Sequence, residues 1–315
     1  MATNPVADLT YRGYDGPMEP PSHRWRVIAR TGILAAFRKK SYWVLTAMAG
    51  WYYLVLIVIM FFIEQVAINS GSDRAAQEFF DRIIWKDQFL HGFSFASLIW
   101  LILALILGAG SIANDNRGNA LLVYLSKPCT KRDYLFGKWM GTFVPLLIAM
   151  VIPTAFFYGY GLMNFRDRGF FTDDPSLILR LALFLPIAAA FHAALVTGVS
   201  SMFSQGRLAG ASYAGIFFIS NFFTQLMVVA AQSGGVGGSM QSFADKAFYF
   251  SVDGLLIGLC KVFLDTDGSP YFGIPSRIPS VPKPPALLMI IAIAIVALGL
   301  MAVAWRRIRA VEVVK

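Results

Sequence analysis

Long apolar runs alternate with short polar segments over most of this chain. Six of the runs reach the length of about 20 residues that an α-helix needs to cross a hydrocarbon core. They extend from Tyr42 to Ile63, Phe93 to Ala113, Trp139 to Gly161, Leu181 to Ser201, Gly210 to Ala231 and Pro285 to Trp305. Pro145 and Pro153 fall in the third run and Pro186 in the fourth. Membrane helices accommodate such residues because neighbouring helices satisfy the carbonyls a proline frees. The pattern predicts an all-α, polytopic membrane protein.

The segments between the runs have patterns of their own. Ser22 to Lys40 reads SHRWRVIARTGILAAFRKK. Wound as a helix, it gathers Trp25, Ile28, Ile33, Leu34 and Phe37 broadly on one side. Arg24, Arg30 and Arg38 through Lys40 supply the charged side and the end. This is the pattern of a helix lying in the membrane interface; the alternative is a cytoplasmic extension of the first span, anchored by Arg38, Lys39 and Lys40. Residues 1–21 are punctuated by Pro and Gly without any period and read as a cytoplasmic N-terminal strap.

Between the second and third runs the chain reads GNALLVYLSKPCTKRDYLFGK, from Gly118 to Lys138. Ala120 to Leu125 is apolar, and Pro128 disfavours helix in the residue before it. Thr130 and Asp133 have the spacing of a capping box. The local expectation is a helix of about three turns from Asp115 to Ser126, a turn, and a second helix that starts at Thr130 and becomes the third span. The longest outer segment, 232–284, opens with GGVGG and contains SFADKAFYFSVDGLLIGLCKVF, too interrupted by charge to span. It predicts one or two short external helices before the last span, followed by a Pro- and Gly-rich connection.

Composition narrows the class. Of 315 residues, 57% are hydrophobic and only 14% charged, against about 25% charged in a soluble domain. Two Cys and three His leave no basis for a disulfide framework, a haem or a multi-ligand metal site. The net charge of +9 would suit nucleic acid, but its placement argues for topology instead. Residues 1–40 carry seven basic groups against three acids, whereas 64–92 carry five acids against three basic groups. Arg117, Lys127, Lys131, Arg132 and Lys138 restore the positive excess in 114–138, as do Arg306, Arg307, Arg309 and Lys315 after the last run. Both termini are therefore expected in the cytoplasm, with no nucleic-acid partner.

The stretch around Leu121 resembles the cytoplasmic loop of type-2 ABC permeases, the membrane subunits of ATP-driven exporters. Leu121, Leu125, Ser126, Pro128, Arg132, Gly137 and Lys138 occupy the matching positions, and Asp115 stands where the family usually has Glu. The family's Gly-Thr pair is replaced by Asn119-Ala120 or Gly118-Asn119. The resemblance extends to the layout of interfacial helix (22–40), then a six-span domain (41–310) with both termini inside. It implies a coupling helix that seats in a cleft of a separate ABC ATP-binding subunit, with Asp115, Arg117, Leu121, Leu122, Tyr124, Leu125, Ser126, Pro128 and Arg132 at the contact. It also implies a second permease subunit, identical or not, contact with membrane lipid, and residence in a bacterial or archaeal cytoplasmic membrane.

No stretch fits the phosphate-binding pattern GxxxxGK[ST]; Lys138 is followed by Trp139. ATP and magnesium are accordingly expected on the partner, with no cofactor, metal or catalytic residue in this chain. Three intramembrane polar residues are pathway candidates: His192, Asn221 and Gln225. Hydrogen bonding between helices is the competing reading for each. The expected function is the permease subunit of an exporter, forming the pathway as a dimer; the alternative is a non-transporting membrane scaffold of a larger complex. Neither substrate nor direction of transport is legible.

Overall fold

The computed structural model describes residues 23–70, 74–120, 129–233, 243, 246–269, 271 and 281–308, and the regular elements among them are helical. In chain order they are α1 (Arg24–Phe37), α2 (Lys40–Ala49), α3 (Trp51–Ser70), α4 (Arg74–Arg82), α5 (Trp85–Phe95) and α6 (Ser97–Gly108). There follow α7 (Ala113–Arg117), α8 (Lys131–Asn164), α9 (Leu177–Ser200), α10 (Gly206–Ser233), α11 (Val252–Leu264) and α12 (Ala286–Arg307). Five stretches among the described residues are long and apolar enough to cross a membrane: Trp51–Asn69, Ser97–Arg117, Lys131–Asn164, Leu177–Ser200 and Ala286–Arg307. The expected span Gly210 to Ala231 lies within α10, whose 28 residues extend about 42 Å at ~1.5 Å per residue. The protein is thus an all-α, multi-pass membrane protein. The N-terminal strap (residues 1–21) lies outside the described residues.

Two expected spans are reshaped. The first is not continuous from Tyr42: α2 stops at Ala49, Gly50 forms a tight turn with its N–H on the Ala47 carbonyl (3.1 Å), and the helix restarts at Trp51. A glycine is the weakest helix former after proline, and a Cβ at Gly50 would come within 3.1 Å of Pro153 on α8. The membrane-crossing stretch consequently begins at Trp51. The second span bends at Ala96 between α5 and α6, and unwinds after Gly108. Pro145 and Pro153 lie inside α8 and Pro186 inside α9. The Pro145 carbonyl accepts the Tyr42 hydroxyl of α2 at 2.9 Å.

Burial separates centre from periphery. In α9, 56% of the apolar window is buried against other helices, in α12 only 11%. α9 touches α6, α8, α10, α11 and α12 and is the axis of the bundle. At one end of it, Ile112, Tyr134, Leu135, Ala304 and Ile308 form a separate small cluster, with Ile28 packed against it. The first helix, the start of α8 and the end of α12 therefore meet at one end of the molecule, here the α1 end. Cys129 belongs to that end and Cys260 to α11.

α1 exists as a helix of its own, since Lys39 is extended (φ −82°, ψ 120°) between it and α2. Its apolar side is not left to lipid. Gly32 crosses Gly141 of α8 so closely that a Cβ on Gly32 would lie 3.0 Å from the Gly141 Cα. Ala29 and Ala36 are buried on that side, Ile28 is half-buried, and the Trp25 ring meets Phe136 edge-on at 4.8 Å. Of the expected apolar face, Leu34 stays exposed, joined by Val27. Two glycines at the crossing convert a lipid-facing helix into one held against α8.

At the opposite end, α11 ends at Asp265 in the left-handed conformation (φ 52°). Its terminal carbonyls collect cations, as a helix C-terminus favours: Arg180 donates to Leu264 O (3.2 Å) and Lys86 to Asp265 O (2.6 Å). Two groups of α5 and α11, the buried His91 and the half-buried Asp253, titrate abnormally. Burial lowers His91 to about 4 against the upward pull of Asp87, and burial raises Asp253 to about 7 against its bond to Ser97. Between pH 4 and 6.5 the folded state binds fewer protons than the unfolded one at His91, so stability falls as pH drops. At Asp253 it binds more, so stability falls as pH rises. The slopes oppose one another in wild type. Asp253→Asn should therefore unmask the His91 slope, with the melting temperature rising steadily from pH 4.5 to 6.5 in detergent. A variant curve as flat as the parent's contradicts the assignment.

Candidate coupling site

The stretch after α6 is built around one hydroxyl. Ala109 to Ile112 turn rather than wind, which leaves the first N–H groups of α7 without helical acceptors. Ser200, the last residue of α9, supplies them: its Oγ accepts from Ile112 N (3.1 Å) and Ala113 N (3.0 Å) and donates to Ala109 O (2.8 Å). The site is dry, with Ser200, Ile112 and Ala113 all buried.

Three of the four polar residues of α7 each reach a different neighbour. Asn114 Oδ1 accepts the N–H of Gly206, the first residue of α10 (3.3 Å). Asn116 Nδ2 donates to Phe203 O in the α9–α10 connection (3.0 Å). Asp115 faces the other way, accepting the Tyr134 hydroxyl (2.7 Å) and pairing with Lys138 (2.7 Å), both on α8. Both charges of that pair are mostly buried, where ion pairs are screened far less than on an open surface. Gly206 is required by proximity, for a Cβ there would lie 3.0 Å from the Gly110 Cα. A five-residue helix is thereby clamped to α8, α9 and the start of α10 together.

α7 ends earlier than the sequence suggests. Asn119 adopts φ 50°, the left-handed conformation that closes helices and that Asn tolerates better than most residues. A helix running unbroken from Asp115 to Ser126 is therefore corrected: Asp115 and Arg117 belong to α7, on the bundle side of that stop. Leu121, Leu122, Tyr124, Leu125, Ser126 and Pro128 lie outside the described residues. The chain re-emerges at Cys129 with the expected capping box: Thr130 Oγ1 accepts Asp133 N (3.2 Å), and Asp133 Oδ2 accepts Thr130 N (3.1 Å). From there α8 runs 34 residues, about 51 Å at ~1.5 Å per residue, well beyond the ~30 Å hydrocarbon core. Arg117 and Arg132 are both exposed.

Comparison with known protein families matches residues 26–307 to the family described as ABC-2 family transporter protein. The chain belongs to this family. A search of curated proteins gave no match. This ABC-2 protein is a membrane permease component of an ABC transporter, a transport component and not itself catalytic, and its family implies association with an ABC ATP-binding subunit. In that light Lys138, which ends the Gly-Lys pair of the loop, is the ion-pair partner of Asp115.

The intramembrane polar residues separate. His192 is buried and its Nδ1 lies 2.8 Å from the Tyr213 hydroxyl of α10, also buried. That contact joins α9 to α10. Asn221 is half-buried and Gln225 exposed, on a helix whose Ile219, Phe222 and Phe223 are also exposed. They face away from this protomer's interior. Ser200, Asn114, Asn116, Tyr134 and Lys138 were not among the expected coupling residues. The clue available in the sequence was local: Asn114, Asp115 and Asn116 are consecutive polar residues directly after an apolar span.

Proposed function

We propose that this permease works as one half of a dimeric, ATP-driven exporter and takes its drive from separate ATP-binding subunits through residues 120–129. The observation that carries this reading is the clamp on α7. Its two polar flanks bind α8 on one side and the α9–α10 junction on the other, so force applied between Asn119 and Thr130 enters several spans at once. The ATP-binding subunit would seat against Leu121, Leu122, Tyr124 and Leu125, with Arg117, Ser126, Pro128 and Arg132 around them and Asp115 tying the seat to α8. The exposed face of α10, with Asn221 and Gln225 among aromatic residues, suits a second permease subunit and a pathway between the two.

The test is reconstitution. Co-expression with a P-loop ATP-binding protein, sought first among the genes neighbouring this one, should yield a complex containing two permease subunits, whose ATP turnover differs from that of the free ATP-binding subunit. Failure of any P-loop protein to co-purify would favour the scaffold.

The orientation has its own measurement. The reading places the α1 end in the cytoplasm of a bacterial or archaeal cell. Cys129 is half-buried, and burial together with Asp133 raises its pKa, so little thiolate forms at neutral pH. In a Cys260→Ala background at pH 8.5, a membrane-permeant maleimide should label intact cells, and pretreatment with an impermeant maleimide should not reduce that labelling. Protection by the impermeant reagent would overturn the orientation.

A further inference from the structure

The crossing of α1 over α8 leaves a half-open cavity of about 250 Å³ beside it. Its floor is made of small residues, with Gly32, Gly137 and Gly141 among the lining. Polar groups stand around the floor. Lys39, at the end of the α1–α2 connection, donates one proton to Ile106 O (3.2 Å); an ammonium has three, so two remain to be placed. Ser111 lines the same cavity, and its Oγ is buried with no hydrogen-bond partner among the described residues. A buried polar atom left in this condition calls for an explanation such as an absent water, ion or ligand. Lys138 also lines the cavity, its charge offset by Asp115. Thr31 and Thr142 already spend their protons on Ile28 O (2.8 Å) and Lys138 O (3.3 Å), but each hydroxyl oxygen still accepts.

We propose that this cavity is a binding site for a phosphate ester, and that its occupant is the headgroup of an anionic glycerophospholipid. The charge is right, since among the described residues the lining holds two cations, Lys39 and Lys138, and no carboxylate, and Asp115 behind it is already paired with Lys138. The donors are right as well, because the spare protons of Lys39 and the Ser111 hydroxyl suit phosphate oxygens. So is the position. The cavity opens beside a basic amphipathic helix at the end of the hydrophobic spans, where headgroups reside. A volume of about 250 Å³ far exceeds what a bare ion needs, and lies just under the range of small-molecule pockets, ~300–1,000 Å³. Ile28 and Leu107 add apolar lining beside these polar groups. The bound headgroup would wedge α1 against α8, one ion pair away from α7. This inference rests on the α1 end lying at a membrane surface, which the Cys129 labelling tests separately.

The experiment uses the full-length chain in nanodiscs of equal parts phosphatidylglycerol and phosphatidylcholine, released into native mass spectrometry. One phosphatidylglycerol per permease subunit should be retained in preference to phosphatidylcholine. A basic residue at a membrane surface contributes about 1 kcal/mol toward anionic lipid, so Lys39→Ala should lower retention about fivefold. Ala35→Phe fills the cavity from its exposed side without altering charge, and should abolish retention. Arg30→Ala removes the same charge from α1 away from the cavity and should leave retention unchanged. Equal losses in Lys39→Ala and Arg30→Ala would reduce the effect to general surface attraction and overturn the site, as would full retention by Ala35→Phe. Retention of inorganic phosphate without preference for phosphatidylglycerol would overturn the lipid assignment. Should Lys39→Ala fail to fold, Ala35→Phe and Ser111→Val decide alone.

Discussion

Replacing Leu121 and Leu125 together by glutamate is expected to abolish the permease's influence on its ATP-binding subunit while the membrane bundle still folds. Burying a leucine side chain contributes about 1.5–3 kcal/mol, so two of them at one contact amount to at least a hundredfold in affinity. Two carboxylates placed there would also have to be desolvated. Neither leucine takes part in the closures at the two borders: Asn119 ends α7 and the Thr130–Asp133 capping box begins α8. Two measurements check the result: titration of purified ATP-binding subunit onto the variant in nanodiscs, and ATP turnover of the mixture. Binding within twofold of the parent together with normal turnover would refute the seat proposed at residues 120–129.

Removing the Ser200 hydroxyl should have the next largest effect, for a different reason. Ser200→Ala leaves the N–H groups of Ile112 and Ala113 and the carbonyl of Ala109 without their partner. Each buried donor left unmade costs about 1–3 kcal/mol, so the two N–H groups alone place the loss at about 2–6 kcal/mol. The loss falls on the joint between α7 and α9, so a lowered melting temperature should accompany a weakened turnover response. Ser200→Thr keeps the hydroxyl and should recover most of both. An alanine variant that melts and responds like the parent would mean that α7 is held by its other contacts.

The reading from sequence succeeded where a single segment's own chemistry settles its structure. Apolar length located α8, α9 and α12, and the Thr130–Asp133 spacing produced the capping box observed. It failed where a second segment decides. The break at Gly50 depends on Pro153 packing beside it, over a hundred residues away in the chain. The docking of α1 depends on Gly141 matching Gly32, and a helical-wheel view of α1 alone could only assign that face to lipid. The coupling region shows both outcomes. Its charge and its proline were legible locally, whereas the early stop at Asn119 is a backbone choice that Gly118-Asn119 permits but does not dictate. Ser200 was invisible because a serine at the end of an apolar span looks like any other boundary residue; its partners are brought to it by the fold. His192 illustrates the same limit. An ionisable group within a span invites a transport role, and only the fold reveals that its Nδ1 also meets the Tyr213 hydroxyl and so links α9 to α10.

The two closed helix borders, Asn119 on one side and Thr130 on the other, have an evolutionary consequence. Each is completed by atoms on its own side, so neither closure draws on the eight positions between Ala120 and Cys129. Under the proposed seat, substitutions there, and even exchange with the equivalent stretch of another family member, bear on partner choice while both borders are kept. Paralogous permeases would then diverge in which motor they recruit without remaking either helix end.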